Sequence, residues 1–162
     1  MENAKNSFYI ALRNRLAEVN PARTIFLRGV TRPGVLVEEN ELATTKPPND
    51  IYRVRWTKLS VNRQMPAALE QISCEIRYST AGTSANGGMD RGQCLAAMDD
   101  ELMQMLQPCN TPKMSYTQSG STAMATNVFW TAPAFEAVSE AQGVLTRAAT
   151  VDLFSLQEVG EA

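Results

Sequence analysis

The 162-residue sequence contains no histidine. No Ser-His-Asp triad, histidine metal cluster or imidazole general base can be built from it. A serine nucleophile would need a lysine as its base, yet the four lysines, Lys5, Lys46, Lys58 and Lys113, stand in no S-x-x-K pattern. Cysteine is scarce. Cys74, Cys94 and Cys109 are odd in number, widely spaced and without a C-x-x-C pair. They predict neither a disulfide framework nor a zinc site. Cys74 falls in a strand pattern and Cys94 in a helix pattern, as small buried thiols made in a reducing cytoplasm would. No apolar run approaches the roughly 18 residues of a membrane span. The polar start, Met1-Glu2-Asn3-Ala4-Lys5-Asn6, is followed by no long apolar region, so no secretory signal is expected. A surplus of positive charge is also missing. Lys and Arg number 15 against 17 Asp and Glu, for a net charge of -2 and a pI near 5.2. That argues against nucleic-acid binding by bulk positive charge.

What is present fits one ordinary domain spanning 1–162. Hydrophobic residues are 44% and charged residues 20% of the chain, close to the globular average. A chain of this length buries about 70% of its unfolded surface, enough for a real core.

Phe8, Leu12, Leu16 and Val19 repeat at helical spacing, with Ser7 as candidate N-cap and Asn20-Pro21 as stop. Thr24–Arg28 is a short β-prone run, and Val35-Leu36-Val37 is its expected partner. The polar stretch 38–50 predicts a long loop. Ile51–Val61 alternates, and Glu70–Ser79 alternates more cleanly, with Ile72, Cys74, Ile76 and Tyr78 on one face. Thr80–Gly88 predicts a flexible connection. Asp90 opens a helix whose stripe is Leu95, Met98, Leu102 and Met105, and Pro108 ends it. The Ser-, Thr- and Gly-rich stretch 109–126 predicts a second long loop. Asn127–Thr131 and Leu145–Leu156 are the last strands. The order predicts an α+β fold: a mostly antiparallel sheet with two main helices packed on one face.

Three patterns could carry chemistry or contacts. Asp99-Asp100-Glu101 is a dense acidic patch, but neighbours on a helix point in different directions and do not converge on one ion. A solvated face, usable in assembly, fits them. Asn86-Gly87-Gly88-Met89-Asp90 precedes a helix and could cradle a phosphate, yet it lacks both the Walker and the G-x-G-x-x-G spacing. Arg53, Arg55 and Arg77 fall on the polar faces of the two long strands. They form a basic stripe near Glu75 if those strands pair, either as solvated surface or as a subunit interface. Tyr52, Trp56, Phe129 and Trp130 fit the core better than stacking platforms. No catalytic, cofactor or metal site is assigned, and the chain is not expected to be an enzyme.

Four segments carry a resemblance in their order along the chain. They are Ile10–Leu16, Ile72–Tyr78, Leu95–Leu102 and Thr150–Phe154. This pattern resembles the bacteriophage tail terminators, also called tail-completion or head–tail joining proteins. The resemblance implies a structural virion protein, assembled in the host cytoplasm. It implies a homo-oligomeric ring, commonly of six, at the head-proximal end of the tail tube. Such a ring stops tube growth and gives the head a docking surface. Its partners would be the tail tube protein, a head–tail connector protein and DNA passing through the channel without specific binding. An acidic inward face, for which Asp99, Asp100 and Glu101 are the candidates, would keep phosphate from sticking. The long loops leave room for a head–tail connector or stopper, or the terminator of a phage-derived contractile injection system. Two further alternatives are a small cytoplasmic nucleotide-binding enzyme using Gly87-Gly88 and an assembly chaperone absent from the finished particle.

Overall fold

The computed structural model describes residues 1–41, 47–64, 66–108, 110–117 and 119–161. Along the chain run α1 (Glu2–Val19), β1 (Thr24–Leu27), β2 (Val30–Pro33), β3 (Val35–Val37), α2 (Glu38–Glu41), β4 (Tyr52–Asn62) and β5 (Leu69–Thr80). After them come α3 (Arg91–Met105), β6 (Asn110–Ser115), β7 (Thr122–Trp130), β8 (Ala134–Phe135), β9 (Ser139–Ala141) and β10 (Val144–Leu156). The fold is α+β. An eight-stranded sheet runs β3-β4-β5-β10-β7-β6, and β8 and β9 also pair with β10. Every pairing in it is antiparallel except the short parallel contact of β3 with β4. β1 and β2 form a separate two-stranded ribbon.

The sheet is built on the strands whose alternation is cleanest. β5 and β10 pair from Leu69↔Leu156 to Thr80↔Leu145 without a break. That register places Ile72, Cys74 and Ile76 beside Leu153, Val151 and Ala149 on one face. A slip of one residue would turn each of these to the opposite face, so the pattern fixes the pairing. Phe8, Leu12 and Leu16 of α1 and Leu95, Met98, Leu102 and Met105 of α3 are buried in the same cluster. Each such side chain contributes about 1.5–3 kcal/mol through burial. Both main helices thus cover one face of the sheet.

Several local expectations change. α1 begins at Glu2, so Ser7 lies inside the helix and is buried. Its Oγ donates to Asn3 O at 2.7 Å and accepts from Met114 N at 2.9 Å, tying the helix to β6. β1 pairs with β2, not with β3. The cause is the two-residue turn Arg28-Gly29, where φ is 49° and 81°, the double positive φ of a type I′ hairpin. The expected loop 38–50 begins with the helical turn α2; positions 42–46 lie outside the described residues. The expected loop 109–126 holds β6 and the first half of β7, while Cys109 itself lies outside the described residues. Phe129, expected in the core, is 48% exposed, whereas Tyr52 and Trp130 are buried and Trp56 is half-buried. Cys74 is buried and Cys94 half-buried. No helix among the described residues is long and apolar enough to cross a membrane.

Candidate functional site

The acidic triplet on α3 divides three ways. Asp99 turns toward the sheet, where it accepts a hydrogen bond from the Tyr78 hydroxyl at 2.5 Å and pairs with Arg147 Nε at 3.3 Å. Burial and this carboxylate together raise the Tyr78 pKa. Glu101 turns toward α1 and the ribbon. Its Oε2 lies 2.5 Å from Arg23 Nε and 3.0 Å from the Tyr52 hydroxyl. Its Oε1 accepts from Arg23 Nη2 at 3.0 Å and from Asn20 Nδ2 at 2.7 Å. Burial opposes the Glu101 charge, but the bonds from Arg23, Asn20 and Tyr52 outweigh it and hold its pKa below the usual value. Asp100 is the exposed member of the triplet. The single acidic face expected of Asp99, Asp100 and Glu101 is therefore not formed. Two of the three charges are matched by cations inside the chain.

The arginines do share one face. In the β4–β5 register Arg53 stands opposite Arg77, and Arg55 stands opposite Glu75. This is the face of the sheet turned away from the helices. Two like charges directly opposite destabilise a sheet unless each finds a partner. Arg77 pairs with Glu75, and Arg53 Nη1 with Glu38 at 3.2 Å. Burial lowers the Arg53 pKa, Glu38 opposes that, and Arg77 adds to it. Arg53 is 7% exposed, while Arg55 is open to solvent. The basic stripe exists, but its outward charge lies at Arg55 and Arg77.

The stretch 38–50, expected as a long loop open to contacts with neighbouring chains, begins with the turn α2, whose carboxylates organise this edge. Glu38 takes Arg53, Glu39 accepts the Trp56 N–H at 3.2 Å, and Glu41 accepts from the Tyr9 hydroxyl at 3.0 Å and from Arg32. Three glutamates among residues 38–41 next to polar sequence were the available signal.

The glycine-rich segment before α3 is drawn together by hydrogen bonds to one carboxylate. The Asp90 carboxylate accepts from Thr83 N at 2.8 Å, Thr83 Oγ1 at 2.6 Å and Asn86 Nδ2 at 3.0 Å. The bonds from the Thr83 and Asn86 side chains and the Thr83 amide hold its pKa down to about 2. Gly88, at φ 78°, lets the chain pass so close to Ala81 that a Cβ would meet its carbonyl oxygen at 2.7 Å. The Thr83 and Asn86 donors are thus spent on a carboxylate of the chain itself, and the Gly87 and Gly88 amides donate to Ser84 O and Thr83 O. A second anion there would meet a fixed negative charge.

A further ionic cluster is buried under the β6–β7 hairpin. The Lys113 side chain is fully buried, and its Nζ donates to Leu156 O at 2.6 Å and Glu161 Oε2 at 2.5 Å. It clasps residues 157–161 to the hairpin. Among the described residues, no three His, Cys, Asp or Glu side chains converge as a metal site.

Surface grooves are modest. One of about 360 Å³ lies beside α3, lined by Asp100, Met103, Leu106, Pro108, Ala132 and Pro133. Another, of about 200 Å³, lies between α1 and α2 beside Trp56.

No protein-family model matches the chain, and no curated protein matches it. Solved structures do. One, known by a sequence identifier alone, is similar at 13% identity with a TM-score of 0.52, covering 99% of this chain and 97% of that one. At that identity the likeness concerns the fold. A component of the virion of a native gene transfer agent particle is more distantly similar, at 10% identity and a TM-score of 0.34 over 95% of this chain and 98% of that one.

Proposed function

We propose that the protein is a structural virion component that acts as a tail terminator. It forms a homo-oligomeric ring at the head-proximal end of the tail tube, ends tube growth and offers the head its docking surface. The observation that carries this is the one-sided build of the sheet. Both main helices cover one face, and the other face presents Arg55, Arg77 and Glu75 and, further along, the cross-strand pair Phe129 and Phe154. A ribbon with exposed apolar residues stands apart from it. Large open surfaces of this kind suit contacts with other chains. The element order that resembles the terminators agrees with the observed sheet and helices. In this reading the protein is not an enzyme, and DNA passes it without specific binding.

Purified particles test the proposal. Immunogold labelling should place the chain at the junction of head and tail, in a ring-like copy number by quantitative mass spectrometry. A chain found in assembling cells but absent from finished particles would instead be a chaperone.

A further inference from the structure

We propose that copies of this chain join head to tail, with the β1–β2 ribbon of one copy seated in the α3 groove of the next. Phe26 would fill the groove formed by Met103, Leu106, Pro108, Ala132 and Pro133, and Arg28 would pair with Asp100. This contact deepens the ring reading above and rests on it.

Three observations carry it. First, the ribbon is apolar where it should be wet. Phe26 is 72% exposed and Val30 59% exposed. Phe26 and its cross-strand partner Thr31 face outward, while Ile25 and Leu27 on the other side are half-buried. Exposed aromatic residues on a protruding element are typical anchors of protein contacts.

Second, Arg28 occupies a position that selects against it. It is the first central residue of a type I′ turn, at φ 49°, where Asn, Asp or Gly is favoured. A side chain held in the left-handed region at a backbone cost points to a use for that side chain. Arg28 is exposed, and a guanidinium two residues from Phe26 needs a carboxylate at the edge of whatever pocket receives the ring. Asp100 stands at the edge of the groove and is exposed.

Third, ribbon and groove lie on opposite flanks of α3. Glu101 is held by Arg23, at the base of the ribbon. Met103 and Asp100 lie on the flank that faces Ala132 and Pro133. At 100° per residue, positions 100 and 103 stand well away from 101 around the helix. Two complementary patches at different places on one molecule make a heterologous contact, which closes into a ring or runs on as a filament.

The test is sedimentation velocity of the full chain, with variants that leave the fold alone. Phe26→Ala should weaken self-association by about thirtyfold, the loss of a single hot spot, without a change in the melting temperature of the dissociated chain at low concentration. Arg28→Asp, which suits the turn, and Asp100→Arg should each weaken it, and the double variant should recover at least about tenfold of that loss. A double variant no better than the singles, or Phe26→Ala rings as stable as wild type, would overturn the contact while leaving ring assembly standing. Phe26→Ala rings that form normally but fail to join tail tubes would assign the ribbon to the tube protein and overturn it too. A wild-type chain that stays monomeric at high concentration overturns the contact, while the ring reading is decided separately by the copy number in purified particles.

Discussion

Arg23 grips Glu101 at two points, Nε to Oε2 at 2.5 Å and Nη2 to Oε1 at 3.0 Å, and so fixes the base of the β1–β2 ribbon to α3. Side-chain exposures of 13% and 12% put the pair largely out of water. Removing one partner leaves the other charge without its match, so Glu101→Ala should cost about 3 kcal/mol. Urea denaturation measures it, and a loss below about 0.5 kcal/mol, the range of ordinary surface substitutions, would contradict this role.

The same carboxylate sets a pH response. Glu41, Glu101 and Glu161 all have pKa values below the usual value, because their cationic and hydrogen-bond partners outweigh the effect of burial. A depressed folded pKa gives stability that is present above the unfolded pKa and lost as pH falls through the folded one. The melting temperature should therefore drop as pH falls below the ordinary glutamate range near 4.3. In Glu101→Gln the drop should be shallower.

Lys113 should behave as the stitch between hairpin and tail. Lys113→Met keeps the volume but leaves Leu156 O and Glu161 without their shared donor. A cost of about 3 kcal/mol follows from unpaired buried groups, or about 6–12 °C in melting temperature for a chain of this size. Hydrogen exchange should show the loss first in residues 110–128 and 157–161. Exchange spread evenly over the sheet would contradict the stitch.

Asp90 organises its loop through charge, so its protonation should release it. With a folded pKa of about 2, below the ordinary 3.9 or so, the loop should stay ordered above about pH 4 and loosen as pH falls through about 2. The Thr83 amide resonance reports this directly. Gly88→Ala should disturb the same resonance at neutral pH, because its Cβ would collide with Ala81 O. An unmoved resonance in both cases would remove Asp90 from this role.

Much of this fold was legible because alternation and helical spacing reflect burial. β5, β10 and the core stripe of α3 follow their hydrophobic residues almost to the end. The hairpin 110–130 was hidden, since Pro112, Gly120 and a run of Ser and Thr look like a loop, and its strands are held by register and by Lys113 from below. The roles of Asp99 and Glu101 were hidden for another reason. Their partners Tyr78 and Arg23 lie 21 and 78 residues away, and no local pattern records a contact at that distance. The arginine stripe was legible because a strand's period is two, so one pairing places all three side chains.

That stripe offers a clean separation of stability from assembly. Arg53 is buried and paired with Glu38, whereas Arg55 is exposed. Arg55→Gln, which sets no like charge opposite Glu75, should leave the melting temperature near wild type and impair particle assembly. Arg53→Met should shift stability instead. The two measurements are a thermal melt and a count of infectious particles in complementation. Equal effects of both variants on the melt would contradict the division.

The terminator role is tested most directly by tail length. Particles assembled without this gene should show, in negative-stain electron microscopy, overlong tails of variable length without heads. Tails of normal length on normal heads would contradict the account.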